Sequence, residues 1–176
     1  MLDLSKNKFN GRIPNDLERL QGYAIYISSP YHYSFEIEEY IKGIEYIFPY
    51  ISFANTIFDL SNNHLTGEIP ISIGSMSILR LLNLSGNQLE GKIPACLSRI
   101  STLEQLDLAK NKLSGAIPQD LSNLSMLAYL DVSSNNLCGA IPPGTQFSTF
   151  DPSSFQSNKC LCGFPIPPCH GKYNPK

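Results

Sequence analysis

Four cysteines stand toward the C-terminus, Cys138, Cys160, Cys162 and Cys169, with His170 beside the last of them, and a fifth, Cys96, stands apart. Cys160-x-Cys162 and Cys169-His170 offer the soft donors of a tetrahedral zinc site. In an oxidising compartment the same cysteines make disulfides, and C-x-C is tighter than the ligand spacing of most zinc sites. Cys96, in Ile93-Pro94-Ala95-Cys96-Leu97, is left over and is expected as a buried thiol. Nothing else is arranged to make or break bonds. His32, His64 and His170 are scattered, without a G-x-S-x-G, P-loop, H-E-x-x-H or paired-carboxylate pattern, and each reads as a surface residue. The expectation is a protein that binds rather than catalyses, with no cofactor. With 13 Lys plus Arg against 15 Asp plus Glu, no pull toward nucleic acid or anionic lipid is expected.

A second kind of chemistry, recognition, is concentrated in residues 21–57. Seven of the nine tyrosines lie there (Tyr23, Tyr26, Tyr31, Tyr33, Tyr40, Tyr46 and Tyr50), with Phe35, Phe48 and Phe53. Tyrosine brings contact area, a polar tip and little rotamer entropy to lose, so such a cluster serves either packing or a recognition surface. Alternation over Tyr31–Ile37 marks a half-buried strand, and Glu36, Glu38 and Glu39 are expected in solvent.

The elements that must position these groups are repeats. Asn63, Asn87, Asn111 and Asn135 stand 24 residues apart in the frame L-x-x-L-x-L-x-x-N-x-L-x-G-x-I-P, and a further copy, Leu2 to Pro14, opens the chain. This period and frame belong to leucine-rich repeats, so the fold is an α/β solenoid. In Leu106-Asp107-Leu108 alternation sends the leucines inward and leaves Gln105, Asp107 and Ala109 on the other face. One short strand per turn then stacks into a parallel sheet on the concave side. The Asn after the strand turns inward to satisfy backbone groups. Gly67, Gly91, Gly115 and Gly139 are expected at positive φ. Stretches such as Gln119–Leu127, apolar at three-residue spacing, suit 3₁₀ or short helices on the convex side.

The outward columns of the sheet are Ile57, Leu81, Gln105 and Tyr129, then Asp59, Asn83, Asp107 and Asp131, then Ser61, Ser85, Ala109 and Ser133. The second and third columns repeat one residue type and read as structural, with Asp107 and Asp131 as mildly unfavourable neighbours. The varied column, Leu81, Gln105 and Tyr129, is the candidate reading surface.

The I-P after each Gly resembles the plant extracellular subclass of leucine-rich repeats. Asn7 and Asn63 are 56 residues apart, eight more than two repeats need, and residues 21–57 do not fit the frame. A non-repeat island followed by four repeats and a cysteine cap (NKCLCGFPIPPC) resembles plant receptor-like proteins. So does Tyr33 followed, after eight residues, by Lys42-Gly43. The expected parts are a leucine-rich repeat at 1–20, the island at 21–57, four repeats at 58–142, the cap at 143–172 and a tail at 173–176. The cap also resembles that of polygalacturonase-inhibiting proteins.

These resemblances imply disulfides Cys138–Cys160 and Cys162–Cys169, and hence no metal. They imply a non-catalytic extracellular module binding a peptide, glycan or microbial ligand through Tyr33, Lys42 and Gly43. The partners implied are a leucine-rich-repeat co-receptor kinase of the somatic-embryogenesis-receptor-kinase type and an adaptor kinase, in defence or developmental signalling. Localisation is then the outer side of the plasma membrane, or the apoplast. The alternatives are a secreted inhibitor of a pathogen cell-wall hydrolase and an inactive receptor fragment. Sequons at Asn83 and Asn123 fit secretion, Asn123 being the better glycan site because Asn83 is also a strand consensus residue. No apolar run reaches the roughly 18 residues that span a bilayer, and no signal peptide precedes the first repeat. The transmembrane helix of such receptors is thus missing, and with Met1 inside a strand the chain is expected to be a fragment or a truncated gene product.

Overall fold

The computed structural model describes residues 2–17, 38–41, 44–47, 57–144 and 146–169, with side chains for all but the two short central stretches. In chain order the strands are β1 (Leu2–Asp3), β2 (Asn10–Arg12), β3 (Glu38–Ile41), β4 (Ile44–Ile47), β5 (Ile57–Asp59), β6 (His64–Glu68) and β7 (Leu81–Asn83). They continue as β8 (Gln88–Glu90), β9 (Gln105–Asp107), β10 (Ser114–Gly115), β11 (Tyr129–Asp131), β12 (Asn136–Ala140) and β13 (Cys160–Cys162).

The concave face is a five-stranded parallel sheet ordered β1-β5-β7-β9-β11. Its inward residues Leu82, Leu84, Leu106 and Leu108 are fully buried and join Leu89, Leu97 and Leu121 from the other sides of the turns in one continuous core, against which Leu2 and Leu4 of the first turn are partly buried. The convex side consists of 3₁₀ turns at Ile71–Ser75, Ala95–Arg99 and Gln119–Asn123. Each is opened by the Pro of an Ile-Pro pair in extended conformation and closed by an N–H to a carbonyl three residues back, as Ile100 to Leu97 at 3.1 Å. No helix among the described residues is long and apolar enough to cross a membrane.

A second set of ladders runs where sequence reading sees only an extended segment. Strands β2, β6 and β8 form one parallel sheet, β10, β12 and β13 another, and a bridge from Lys92 to Ser114 lies between them. The glycine of the frame permits it twice over. Gly67 has φ +78°, and a Cβ there would lie 3.0 Å from Cγ of Arg12, whose stem crosses the glycine from the previous turn. His64, expected at the surface, is exposed and opens β6.

The buried Asn residues tie the turns together. Asn111 Nδ2 donates to the carbonyls of Leu84, Leu108 and Ala109 at 3.0–3.2 Å, and its Oδ1 accepts the N–H of Leu89 at 3.0 Å. Asn87 and Asn135 repeat this pattern. Each satisfies groups in two consecutive turns that no water reaches.

The long gap after the first repeat does not interrupt the stack. Leu2 pairs with Phe58 and Asp3 with Asp59, and Asn10–Arg12 pair with His64–Thr66. Residues 2–14 and 57–70 are therefore consecutive turns of one solenoid, joined through an insertion. Within that insertion β3 and β4 form an antiparallel pair with Ile41 opposite Ile44, which puts Glu38 and Glu39 in a strand. The strand expected over Tyr31–Ile37 lies outside the described residues.

At the other end Phe147, Phe150 and Phe155 are buried over the last layer, the first two in edge-to-face contact with centroids 5.7 Å apart. Asn158 supplies one more rung, accepting from Leu137 N at 3.0 Å and donating to Val132, Phe155 and Gln156 carbonyls. The cap thus holds a degenerate turn.

Candidate interaction surface

Parallel pairing in register brings the outward columns together. Leu81 stands beside Gln105 and Gln105 beside Tyr129, while Asn83, Asp107 and Asp131 form the adjacent row. Leu81, Asn83, Gln105, Asp107 and Tyr129 line a shallow depression of about 230 Å³. Tyr129 keeps 45% of its surface exposed there, a large amphipathic side chain that nothing in the described fold covers.

The Asp/Asn row caps its own strands. Asp59, Asn83, Asp107 and Asp131 accept the N–H two residues on, at Ser61, Ser85, Ala109 and Ser133, over 2.8–3.1 Å. Asn83 also donates to Asp59 Oδ2 at 3.3 Å, so one carboxylate of the row has a neutral donor beside it. Asp107 stands between Asn83 and Asp131 and is also hydrogen-bonded by the Ser85 side chain. Burial raises its carboxyl above the ordinary carboxylate value against the bond from Ala109, with Asp131 and Asp59 adding repulsion. The Tyr129 hydroxyl is likewise held up, first by burial and then by the charges of Asp107 and Asp131. On the rim Arg80 and Glu104, equivalent residues of successive turns, form an ion pair. Sequence reading overlooked this pair, although its 24-residue spacing marks it.

The four C-terminal cysteines form two disulfides. Cys138 is bonded to Cys160, its register neighbour across β12 and β13, with Cα atoms 4.5 Å apart, and Cys162 is bonded to Cys169. Their sulfurs are therefore not thiolate ligands. Among the described residues no group of three or more His, Cys, Asp or Glu is disposed to hold a metal. Cys96 is free and half-buried rather than fully buried as expected: it packs against the edge of the core on the convex side, Sγ 3.1 Å from the Ile71 carbonyl and close against Gly74. It is the second residue of the Ala95–Arg99 3₁₀ turn, whose inward residue is Leu97.

Asn123 is exposed at the end of the convex Gln119–Asn123 turn. Asn83 is half-buried in β7, and its Oδ1 accepts from both the N–H and the hydroxyl of Ser85. Tyr33, Lys42 and Gly43 lie outside the described residues, as does His170.

The Leucine Rich Repeat family matches residues 1–20, 56–76, 79–100, 102–124 and 126–158. The last match ends on Asn158. Receptor-like protein 9DC3 of Solanum pimpinellifolium is 58% identical over 178 aligned positions, covering 94% of this chain and 21% of that protein. The chain spans between 11% and 21% of the length of the receptor-like proteins it matches. Among solved structures, the BIR2 ectodomain from Arabidopsis thaliana superposes with a TM-score of 0.71 at 31% identity, over 94% of this chain and 70% of that one. The Arabidopsis receptor kinase HAESA, in complex with the peptide hormone IDA and the co-receptor SERK1, superposes with a TM-score of 0.53 at 30% identity, over 90% of this chain and 25% of that one.

Proposed function

The chain belongs to the leucine-rich repeat family, and from that premise we propose that it is a non-catalytic extracellular recognition module of a plant receptor-like protein at the plasma membrane. The concave surface around Leu81, Gln105 and Tyr129 meets a leucine-rich-repeat co-receptor kinase of the SERK type. The insertion at 21–57, with Tyr33, Lys42 and Gly43, contributes to reading a peptide, glycan or microbial ligand, and an adaptor kinase carries the signal inward. The observation that carries the reading is the uncovered Tyr129 beside Gln105 and Leu81 on a sheet whose Asp/Asn row caps its own strands. Similarity to 9DC3 over 94% of the chain and to HAESA, solved with a peptide hormone and SERK1, supports the same assignment.

The test is a segment exchange. A receptor-like protein of known ligand, carrying residues 1–169 of this chain in the matching place, should co-precipitate a SERK-type kinase when its ligand is added. Gln105→Ala with Tyr129→Ala should abolish that recruitment at unchanged surface abundance. Recruitment that survives both substitutions sinks the assignment to this face. The rival reading, a secreted inhibitor of a pathogen cell-wall hydrolase, draws on the two-disulfide cap; inhibition of a polygalacturonase by the secreted chain alone would select it.

A further inference from the structure

The outward face of the five-stranded sheet carries charge of one sign. Asp3 and Asp59 are register neighbours, Asn83 follows, and Asp107 and Asp131 are neighbours again. The outward columns among the described residues hold no Lys or Arg. The lysines of the described turns are elsewhere: Lys6, Lys8, Lys110, Lys112 and Lys159 follow the strands, and Lys92 lies over Gly115 on the second set of ladders. Arg80, on the rim, is paired with Glu104. Like charges on adjacent strands, about 4.8 Å apart, repel each other; Lys6 offsets Asp3, whereas among the described residues no cation acts on Asp107, where the charges of Asp131 and Asp59 both press.

The same stretch of sheet presents the ring of Tyr129, 45% exposed, with Leu81 and Gln105 along the depression. An aromatic ring beside two carboxylates fits a cation on a partly apolar stem. The carboxylates offer charge-assisted hydrogen bonds, the ring face attracts the cation, and Leu81 and the ring receive the methylenes. We infer that the concave face takes an extended partner segment that seats an arginine or lysine between Asp107 and Asp131, alongside Tyr129. This rests on the proposed role of the concave face and adds to it the charge of what docks there. Arginine is favoured over lysine because its planar fork bridges two carboxylates at once.

The probe is a phage-displayed library of random dodecapeptides, selected on the secreted full chain and, in parallel, on Asp107→Asn/Asp131→Asn and on Tyr129→Ala. The double variant keeps the fold, because Asn83 already caps its strand in the equivalent place by the same bond to the N–H two residues on. Wild-type selection should enrich Arg or Lys at one peptide position by about threefold to fivefold over the naive library, the range that one partly exposed ion pair provides. That enrichment should vanish on the double variant. Peptides that need Tyr129 but show no basic preference would overturn the cationic partner while leaving the concave face as the recognition surface. Peptides whose binding is indifferent to both variants would overturn the inference and the recognition surface together.

Discussion

Asn63 donates from Nδ2 to the carbonyl of Leu4 at 2.9 Å, across 59 residues of chain. Its Oδ1 accepts the N–H of Phe9 at 3.0 Å, so the ladder that elsewhere joins sequence-adjacent turns here spans the insertion. The insertion is thus an elaboration of one ordinary turn. Leu17 stands ten residues past Asn7, as Ile73 does past Asn63, and both are buried. Seven residues, Gly74 to Arg80, carry the chain from Ile73 to Leu81. Replacing residues 18–56 with a copy of those seven should therefore restore a 24-residue repeat and retain a single cooperative thermal transition. Loss of cooperativity would mean that the insertion is part of the stack's own stability.

The Asn rungs should be costly to remove. Asn111→Leu strands the Leu89 N–H and withdraws the donor from three buried carbonyls. An unsatisfied buried group costs about 1–3 kcal/mol, and chemical denaturation should find a loss in that range. Asn158→Leu should cost a similar amount, since it serves the Leu137 N–H in the same way. A neutral result at Asn158 would show that the cap tolerates an open last rung.

How far the sequence discloses this fold is a matter of which residues have neighbours one period away. The 24-residue frame locates Leu106, Asp107, Asn111 and Gly115 because each has a counterpart a turn earlier and later. Asn158 escaped because it stands 23 residues after Asn135 and follows Phe155 where the frame has Leu. The second ladders escaped because their strands are only two to five residues long and most of them include the glycine of the frame. They exist through contacts between turns, such as the Arg12 stem across Gly67. Cys96 departs from expectation for a related reason: its apolar neighbours Ile93 and Leu97 face fully inward, while the 3₁₀ turn leaves the residue before Leu97 at the edge of the core and only half-buried. The outward columns are legible as columns, whereas the Arg80–Glu104 pair beside them lies at a position of the repeat that keeps no residue type from turn to turn.

The two disulfides should contribute unequally. In the chain-entropy picture stabilisation grows with the loop closed. Cys138–Cys160 closes a separation of 22 residues and Cys162–Cys169 one of seven. Cys138→Ser with Cys160→Ser should lower stability by about 3 kcal/mol, and Cys162→Ser with Cys169→Ser by about 1 kcal/mol less than that. Equilibrium denaturation of both double variants checks the order. Peptide mapping without reductant should find only Cys96 open to alkylation.

Secretion should leave a glycan at Asn123. Its side chain stands on the exposed convex end of a 3₁₀ turn, whereas a glycan at Asn83 would occupy the concave face and grow from the Nδ2 that donates to Asp59. Intact-mass measurement of Asn123→Gln should show the loss of one glycan, and Asn83→Gln no change. A glycan at Asn83 in folded, secreted protein would close the surface to which recognition is assigned here.

Asp107 provides a pH signature for the concave face. Burial raises its folded-state pKa above the unfolded value, with repulsion from Asp131 and Asp59 acting in the same direction. The folded chain therefore holds this proton to higher pH than the unfolded chain, and between the two values folding takes up protons. Stability from this group is present below the unfolded pKa, about 3.9, and is lost as pH rises through the folded one. Asp107→Asn removes the titration while keeping the cap that Asn83 demonstrates at the equivalent position. Denaturation midpoints measured from acid to neutral pH should show the variant gaining on the wild type as pH rises through the carboxylate range, then running parallel to it. A gap that narrows with rising pH would mean that Asp107 finds a cationic partner within the folded chain, and the face would then have no charge left to offer another protein.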